Sequence, residues 1–216
     1  MKTVFTALHT RLRVAPIAAA SLFAAAWLAI GAGPAAAQSP PQIVRGVVSA
    51  ITADALIVRP KTGKPVRVGL AAGWTVAVMK PITADAIQTG SFIGTAEMPM
   101  ANGAGRSLEV HVFPPGVKMG EGHYDWDLRK GSMMTNGTVG TVSRSHHGRE
   151  LDVSYPAGVR HIVVPPHVPI VQITGGTQAL IKPGVAVFLI ARPGADGVGL
   201  ATNSVSTGEN GKAPPM

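Results

Sequence analysis

The 216-residue chain has no cysteine. No disulfide can staple the fold, and a thiolate nucleophile or zinc–thiolate centre is excluded. Aromatic residues are scarce, with three Trp, two Tyr and five Phe. That is too few for the stacking platforms that single-stranded nucleic acid uses, so no nucleic-acid partner is expected. Acidic residues number 11 against 19 Lys plus Arg. Only one long apolar run exists, at the N-terminus, so a polytopic channel or permease is excluded and the mature chain is expected to have no transmembrane domain. No G-x-S-x-G elbow, P-loop or S-x-x-K motif is present, and the chain is not expected to be an enzyme.

The N-terminal run has the three parts of a secretory signal. Lys2, Arg11 and Arg13 form the basic start, Val14 to Val44 is apolar, and Ala35-Ala36-Ala37 before Gln38 is a small-residue cleavage pattern. Residues 1–37 therefore read as a signal helix removed near Ala37-Gln38, giving a periplasmic or secreted protein. The alternative is an uncleaved N-terminal anchor, against which Pro16, Gly31, Gly33 and Pro34 interrupt the run. Loss of the three signal cations lowers the net charge from +8 to +5. A basic balance of that size favours anionic partners.

What the mature chain has in quantity is valine-rich repetition. Arg45-Gly46-Val47-Val48 through Leu56, Val58 and Gly63 matches Val139-Gly140-Thr141-Val142 through Leu151, Val153 and Gly158. In this alignment Gly46 corresponds to Gly140, with one residue gained near His146-His147. Downstream, Ala86–Gly90 matches Leu180–Gly184, and Pro99 matches Pro193. Alternating β-branched residues and turn signals predict short strands. One short helical piece is predicted per copy, over 83–90 and 176–184, with Thr83 able to cap the first. The expected fold is all-β: two tandem small OB-like β-barrels with one short helix each, with a sandwich as the alternative. The expected boundaries are 38–113 for the first barrel, 114–136 for a linker, 137–207 for the second barrel and 208–216 for a flexible tail.

The two repeats, the link Gly120-Glu121-Gly122-His123-Tyr124-Asp125-Trp126-Asp127-Leu128, the following Met134-Thr135-Asn136 and the strand Ile162-Val163-Val164-Pro165-Pro166 together resemble a family of uncharacterised secreted bacterial proteins. That resemblance implies repeated OB-like barrels of unknown function in the periplasm, and it brings no catalytic residues. Some members bear the label of a metal transporter permease, which a chain with at most one membrane segment contradicts in the literal sense.

The linker is the most unusual stretch. Glu121, His123, Asp125 and Asp127 recur at every second position, so an extended chain sets them on one face and Tyr124 and Trp126 on the other. Such a face can offer oxygen and imidazole ligands to Zn, Ni or Cu. Met98, Met100 and His111 are weaker candidates, the methionines because thioethers select Cu(I). The structural alternative wedges Tyr124 and Trp126 between the barrels and leaves the charges solvated or paired. Three functions follow as expectations. The first is a non-enzymatic module that binds an unknown envelope protein or anionic envelope component. The second is a metal-binding protein, and the third a hydrolase of envelope polymers relying on Asp125.

Overall fold

The computed structural model describes residues 40–146, 148–194 and 199–216. The signal segment and His147 lie outside the described residues. Among the described residues no helix is long and apolar enough to cross a membrane.

The chain is all-β. Among the described residues twelve strands run in order: β1 Gln42–Ile51, β2 Ala55–Arg59, β3 Val66–Pro81, β4 Phe92–Pro99, β5 Gly105–Val112, β6 Gly122–Trp126, β7 Ser132–Ser145, β8 Gly148–Tyr155, β9 Gly158–Val164, β10 Ile170–Gly176, β11 Ala186–Pro193 and β12 Leu200–Gly208. The predicted helical pieces are single 3-10 turns, Ala84–Ala86 and Gln178–Leu180. Thr83 stands at the first cap position without a side-chain cap bond.

Pairing closes two five-stranded rings. Barrel one runs β1-β2-β3-β12-β11 and back to β1. Barrel two runs β7-β8-β9-β5-β4 and back to β7. Each ring has one parallel pair, β3 with β12 and β5 with β9. The expectation of one barrel per repeat therefore meets a different connectivity. Hairpin β4–β5 of the first repeat completes the ring of the second, and hairpin β11–β12 of the second completes the ring of the first.

The exchange has a physical cause in β3. This strand is 16 residues long, far longer than a small barrel needs. Its first half pairs with β2, from Val66 to Gly69. Gly73 then bends the strand at φ +70°, a conformation that costs other residues a steric penalty. The second half stays beside β12, from Thr75 to Met79, and its other edge pairs antiparallel with β10, from Val76↔Gly176 to Pro81↔Val171. The repeat offset maps Val76 onto Val171 and Pro81 onto Gly176, so this pairing is self-complementary about a pseudo-two-fold axis. Each crossing strand thus delivers its following 3-10 turn and hairpin to the opposite ring. Ile87 after the first turn is buried in the core of barrel two, and Ile181 after the second in that of barrel one.

Valine, leucine and isoleucine fill the rings, Val44, Val48, Leu56, Val58, Val68, Leu189 and Val205 in barrel one and Ile93, Val110, Val139, Leu151, Val153 and Ile162 in barrel two. A third cluster lies where the two strands cross: Met79, Val171, Phe188 and Met216, with Ile43, Trp126 and Ile173 packed on it. Trp126 packs on this cluster, whereas Tyr124, which the structural alternative for the linker also places between the barrels, is exposed. The linker is not all loop: it holds β6, and residues 132–136 already belong to β7. The tail also differs from expectation. It packs across the fold, with Met216 buried and its carbonyl accepting from Arg45 Nε at 2.9 Å.

The register also corrects the repeat alignment. Val48 pairs with Val58 and Val139 with Val153, each just before a bulge. Gly46 therefore corresponds to Gly137 rather than Gly140, and the extra residues lie in the longer β7–β8 hairpin. Chemistry agrees. A Cβ on Gly46 would overlap the Arg59 carbonyl oxygen and stand 2.8 Å from Val58 Cγ1; on Gly137 it would overlap the Ser154 carbonyl oxygen and stand 2.8 Å from Val153 Cγ1. A Cβ on Gly140 meets nothing closer than 3.6 Å. Gly137→Ala is expected to destabilise by about 1–3 kcal/mol through overpacking against backbone, whereas Gly140→Ala stays within about 0.5 kcal/mol of the parent. Urea unfolding of both variants checks the difference; equal costs would refute this register.

Candidate functional site

β6 pairs with β7 in the register His123↔Thr135 and Asp125↔Met133. His123 and Asp125 do share a face, but they do not converge with Glu121 and Asp127. Glu121, Asp125 and Asp127 are exposed. Asp127 turns to barrel one, where it accepts from Arg45 Nη1 at 2.8 Å and from Nη2 at 2.7 Å. His123 is half-buried and its Nδ1 lies 2.8 Å from Thr135 Oγ1. Met98 and Met100 stand at the end of β4 and in the turn after it, with Met100 exposed. Among the described residues no three His, Asp or Glu side chains come together as a ligand set.

The structure instead gathers polar groups in and around barrel two. On β4, Thr95 and Glu97 alternate with Ile93 and so share its inward face. Both are fully buried. On β7, Thr135 pairs with Thr95; on β9, Arg160 has the same parity as the core residues Ile162 and Val164. A bulge on β5 brings Ser107 opposite Glu97. Barrel two is thus apolar near its 3-10 plug and polar at the other end. Thr95 Oγ1 and Ser107 Oγ are 2.7 Å apart, and Thr95 Oγ1 also donates to the Glu109 carbonyl at 2.6 Å.

Glu97 is the centre of this polar end. Its Oε1 accepts from Arg160 Nε at 2.7 Å, and Arg160 Nη1 donates to the Gly103 carbonyl at 2.6 Å. Its Oε2 is buried without a partner. The carboxylate lies over Gly105, where any side chain would collide with it. Burial pushes the Glu97 carboxyl up, while Arg160, His123 and Thr135 oppose the shift. Arg160 remains partly exposed, at 17% of its side chain, and His123 stands near Tyr155 with ring planes 23° apart. These three side chains carry the buried carboxylate's surroundings out to solvent.

A second polar group lies on the outer face of the same strands. The bulge between Ala96 and Glu97 frees the Ala96 N–H from the ladder, and a buried N–H must find an acceptor. Glu109 Oε1 accepts it at 2.7 Å, while Glu109 Oε2 lies 3.1 Å from His111 Nδ1. His111, expected as a weak ligand candidate, is buried beside Phe113. Asn136 donates through Nδ2 to the Gly120 carbonyl and the Tyr124 hydroxyl, both at 2.9 Å. These bonds tie the linker over His111. Gly94 is required here, because a Cβ would strike His111 Nε2 and Asn136 Oδ1. Burial raises the Tyr124 phenol above its ordinary value.

Barrel one provides an internal control. Its pair equivalent to Thr95↔Thr135 is Leu189↔Val44, and the residue equivalent to Glu97 is Ala191. All three apolar residues are buried in its core. The same ring closes without one buried ion pair at this end, so the polar end of barrel two is not a requirement of the fold. In the sequence Glu97, Thr95, Thr135 and Arg160 each look like an ordinary strand residue, so none stands out as a site candidate. The signal was there in the aligned repeats: carrying the match upstream from Pro99 and Pro193 sets Glu97 against Ala191 and Thr95 against Leu189.

The raised Glu97 pKa has a sign. The folded state holds this proton more tightly than the unfolded chain does. Its stability contribution is present below the ordinary value of 4.5 and is lost as pH rises from there through the folded value. Glu97→Gln, which keeps an acceptor for Arg160, is expected to flatten the fall in stability across that window. Thermal melts of parent and variant from pH 4 upward, about one pH unit apart, test this; parallel curves would count against the assignment.

No family model, curated protein or solved structure matches the chain.

Proposed function

We propose that the chain is an exported, non-enzymatic binding module of the cell envelope. In this reading residues 1–37 direct export and are removed at Ala37-Gln38, and the protein acts in the periplasm or outside the cell. The partner is an envelope protein or an anionic envelope component, engaged at the polar end of barrel two. One observation carries the reading. Glu97, Thr95 and Thr135 stand where barrel one has Ala191, Leu189 and Val44, and burying a carboxylate there carries a desolvation cost that the packing of the ring does not require. The resemblance to secreted bacterial proteins with repeated barrels agrees with the compartment.

A photo-crosslinking residue at Tyr155, next to His123 and Arg160, tests the proposal in cells. The expected product is one discrete adduct, absent in an Arg160→Gln, Glu97→Gln double variant. Recovery of free monomer alone would sink the reading. Sequencing the N-terminus of the exported protein tests the cleavage site, with Gln38 as the expected first residue.

A metal-binding reading has one specific observation in its favour. Thr135 engages His123 Nδ1, and fixing one ring nitrogen orients the other, Nε2, as a ligand. Calorimetric titration with Cu, Zn and Ni decides it: affinity weaker than about 0.1 mM, or equal affinity after His123→Ala, excludes this reading.

A further inference from the structure

The β2–β3 hairpin of barrel one is the most basic surface element of the described chain. Arg59, Lys61, Lys64 and Arg67 fall within nine residues, with no acid among them, and all four are exposed. Among the described residues Arg59, Lys61 and Lys64 make no ion pair and Arg67 meets only Asp54, at 3.4 Å, with both side chains largely in solvent. Such an exposed pair is nearly neutral in energy. Pro60 and Pro65 stiffen the arms of the turn, and Gly63 allows its φ of +95°.

The equivalent hairpin of barrel two argues that the fold does not need this charge. It turns through Tyr155-Pro156-Ala157-Gly158, and its nearest cation, Arg160, is bound to Glu97. Like charges gathered on one tip repel each other, so the barrel-one hairpin works against folding and is suited to an anionic ligand.

The surroundings narrow the ligand class. Ile57 pairs with Arg67, so the cations run from the turn along the outer face of the β2–β3 ladder. There they meet a shallow cleft of about 150 Å³ lined by Thr52, Asp54, Ile57 and Arg67. The Asp54 carboxylate is held below its ordinary pKa chiefly by the Thr52 hydroxyl. An ionised carboxylate beside an arginine accepts from ligand hydroxyl groups while the arginine holds a ligand anion. A ligand rich in both groups fits the pair. The hairpin tip has no aromatic residue on which a base could stack and no large apolar side chain to enter a bilayer.

We infer that this hairpin and the adjoining cleft bind an acidic polysaccharide, with Arg59, Lys61, Lys64 and Arg67 holding its anionic groups and Asp54 accepting from a sugar hydroxyl. The site is separate from the polar end of barrel two, and either can fail without the other.

Fluorescence anisotropy of the purified protein with labelled polygalacturonate and heparin fragments tests the inference, at several salt concentrations. Binding should weaken with salt. Lys61→Gln with Lys64→Gln should lower affinity about tenfold and reduce the salt slope by about two, one per lost cation. Lys182→Gln with Lys212→Gln, exposed elsewhere, should leave both unchanged, and Asp54→Ala should weaken polygalacturonate binding at constant salt slope. Absence of saturable binding to either polysaccharide at low salt would overturn the inference, as would equal losses in the two lysine pairs. Tighter hairpin-dependent binding to anionic phospholipid vesicles or single-stranded DNA would overturn it in favour of that ligand.

Discussion

The antiparallel pairing of the second half of β3 with β10 is the contact on which the rest of the structure depends. It is the only place where the two crossing strands meet along a continuous ladder, six residue pairs long. Backbone hydrogen bonds are each worth only about 1 kcal/mol net, so the ladder alone does not hold the halves together. Its strength comes from what it seals. Val76 and Val78 reach into barrel one, while Met79 and Val171 turn to the junction with Phe188 and Met216. Because each strand then feeds the opposite ring, neither barrel is complete without the other repeat. Separating the halves would open both rings and expose their valine-rich edges, a state that sheet proteins avoid.

The linker and the tail are the second consequence of that symmetry. Each follows the last strand of an exchanged hairpin, the linker after β5 and the tail after β12, and each folds back over the outside. Arg45 joins them. It donates to Asp127 of the linker and to the Met216 carbonyl of the tail, and its guanidinium lies 5.2 Å from the Phe188 ring centre and 5.8 Å from that of Trp126. In barrel two the equivalent position is Asn136, which also ties down the linker, through Gly120 and Tyr124. One structural position thus fastens a connecting segment in each half with different chemistry. The Trp126 indole N–H stays buried without an acceptor, so ring packing must outweigh that loss.

Divergence between the halves then separates structure from specialisation. Positions that shape the ring stay alike: Gly46 with Gly137, Val48 with Val139, Leu56 with Leu151, Ile87 with Ile181. Positions that differ do so in charge, and in opposite places. Barrel two has Glu97 and Arg160 at its inner polar end, where barrel one is apolar. Barrel one has Arg59, Lys61 and Lys64 on its β2–β3 turn, where barrel two has Ser154, Pro156 and Val159. A duplicated scaffold that is stable on its apolar positions can carry such unpaired or buried charge in one copy while the other shows what the fold itself requires.

Much was legible in the sequence, and the limit is physical. Alternating valines, turn glycines and the internal repeat determined an all-β chain of short strands with a short helical piece before each last hairpin, because side-chain periodicity is a local property; barrel or sandwich stayed open until the pairing closed the two rings. The spacing of His123 and Asp125 determined that they share a face. Only the tertiary structure decided which hairpin closes which ring, since a repeat is chemically compatible with either its own hairpin or its twin's. Only the register of β1 on β2 and of β7 on β8 decided that Gly137, and not Gly140, is the partner of Gly46. The buried Glu97–Arg160 pair depended on both choices: 63 positions apart in sequence, the two meet because β4 crosses into the ring that holds β9.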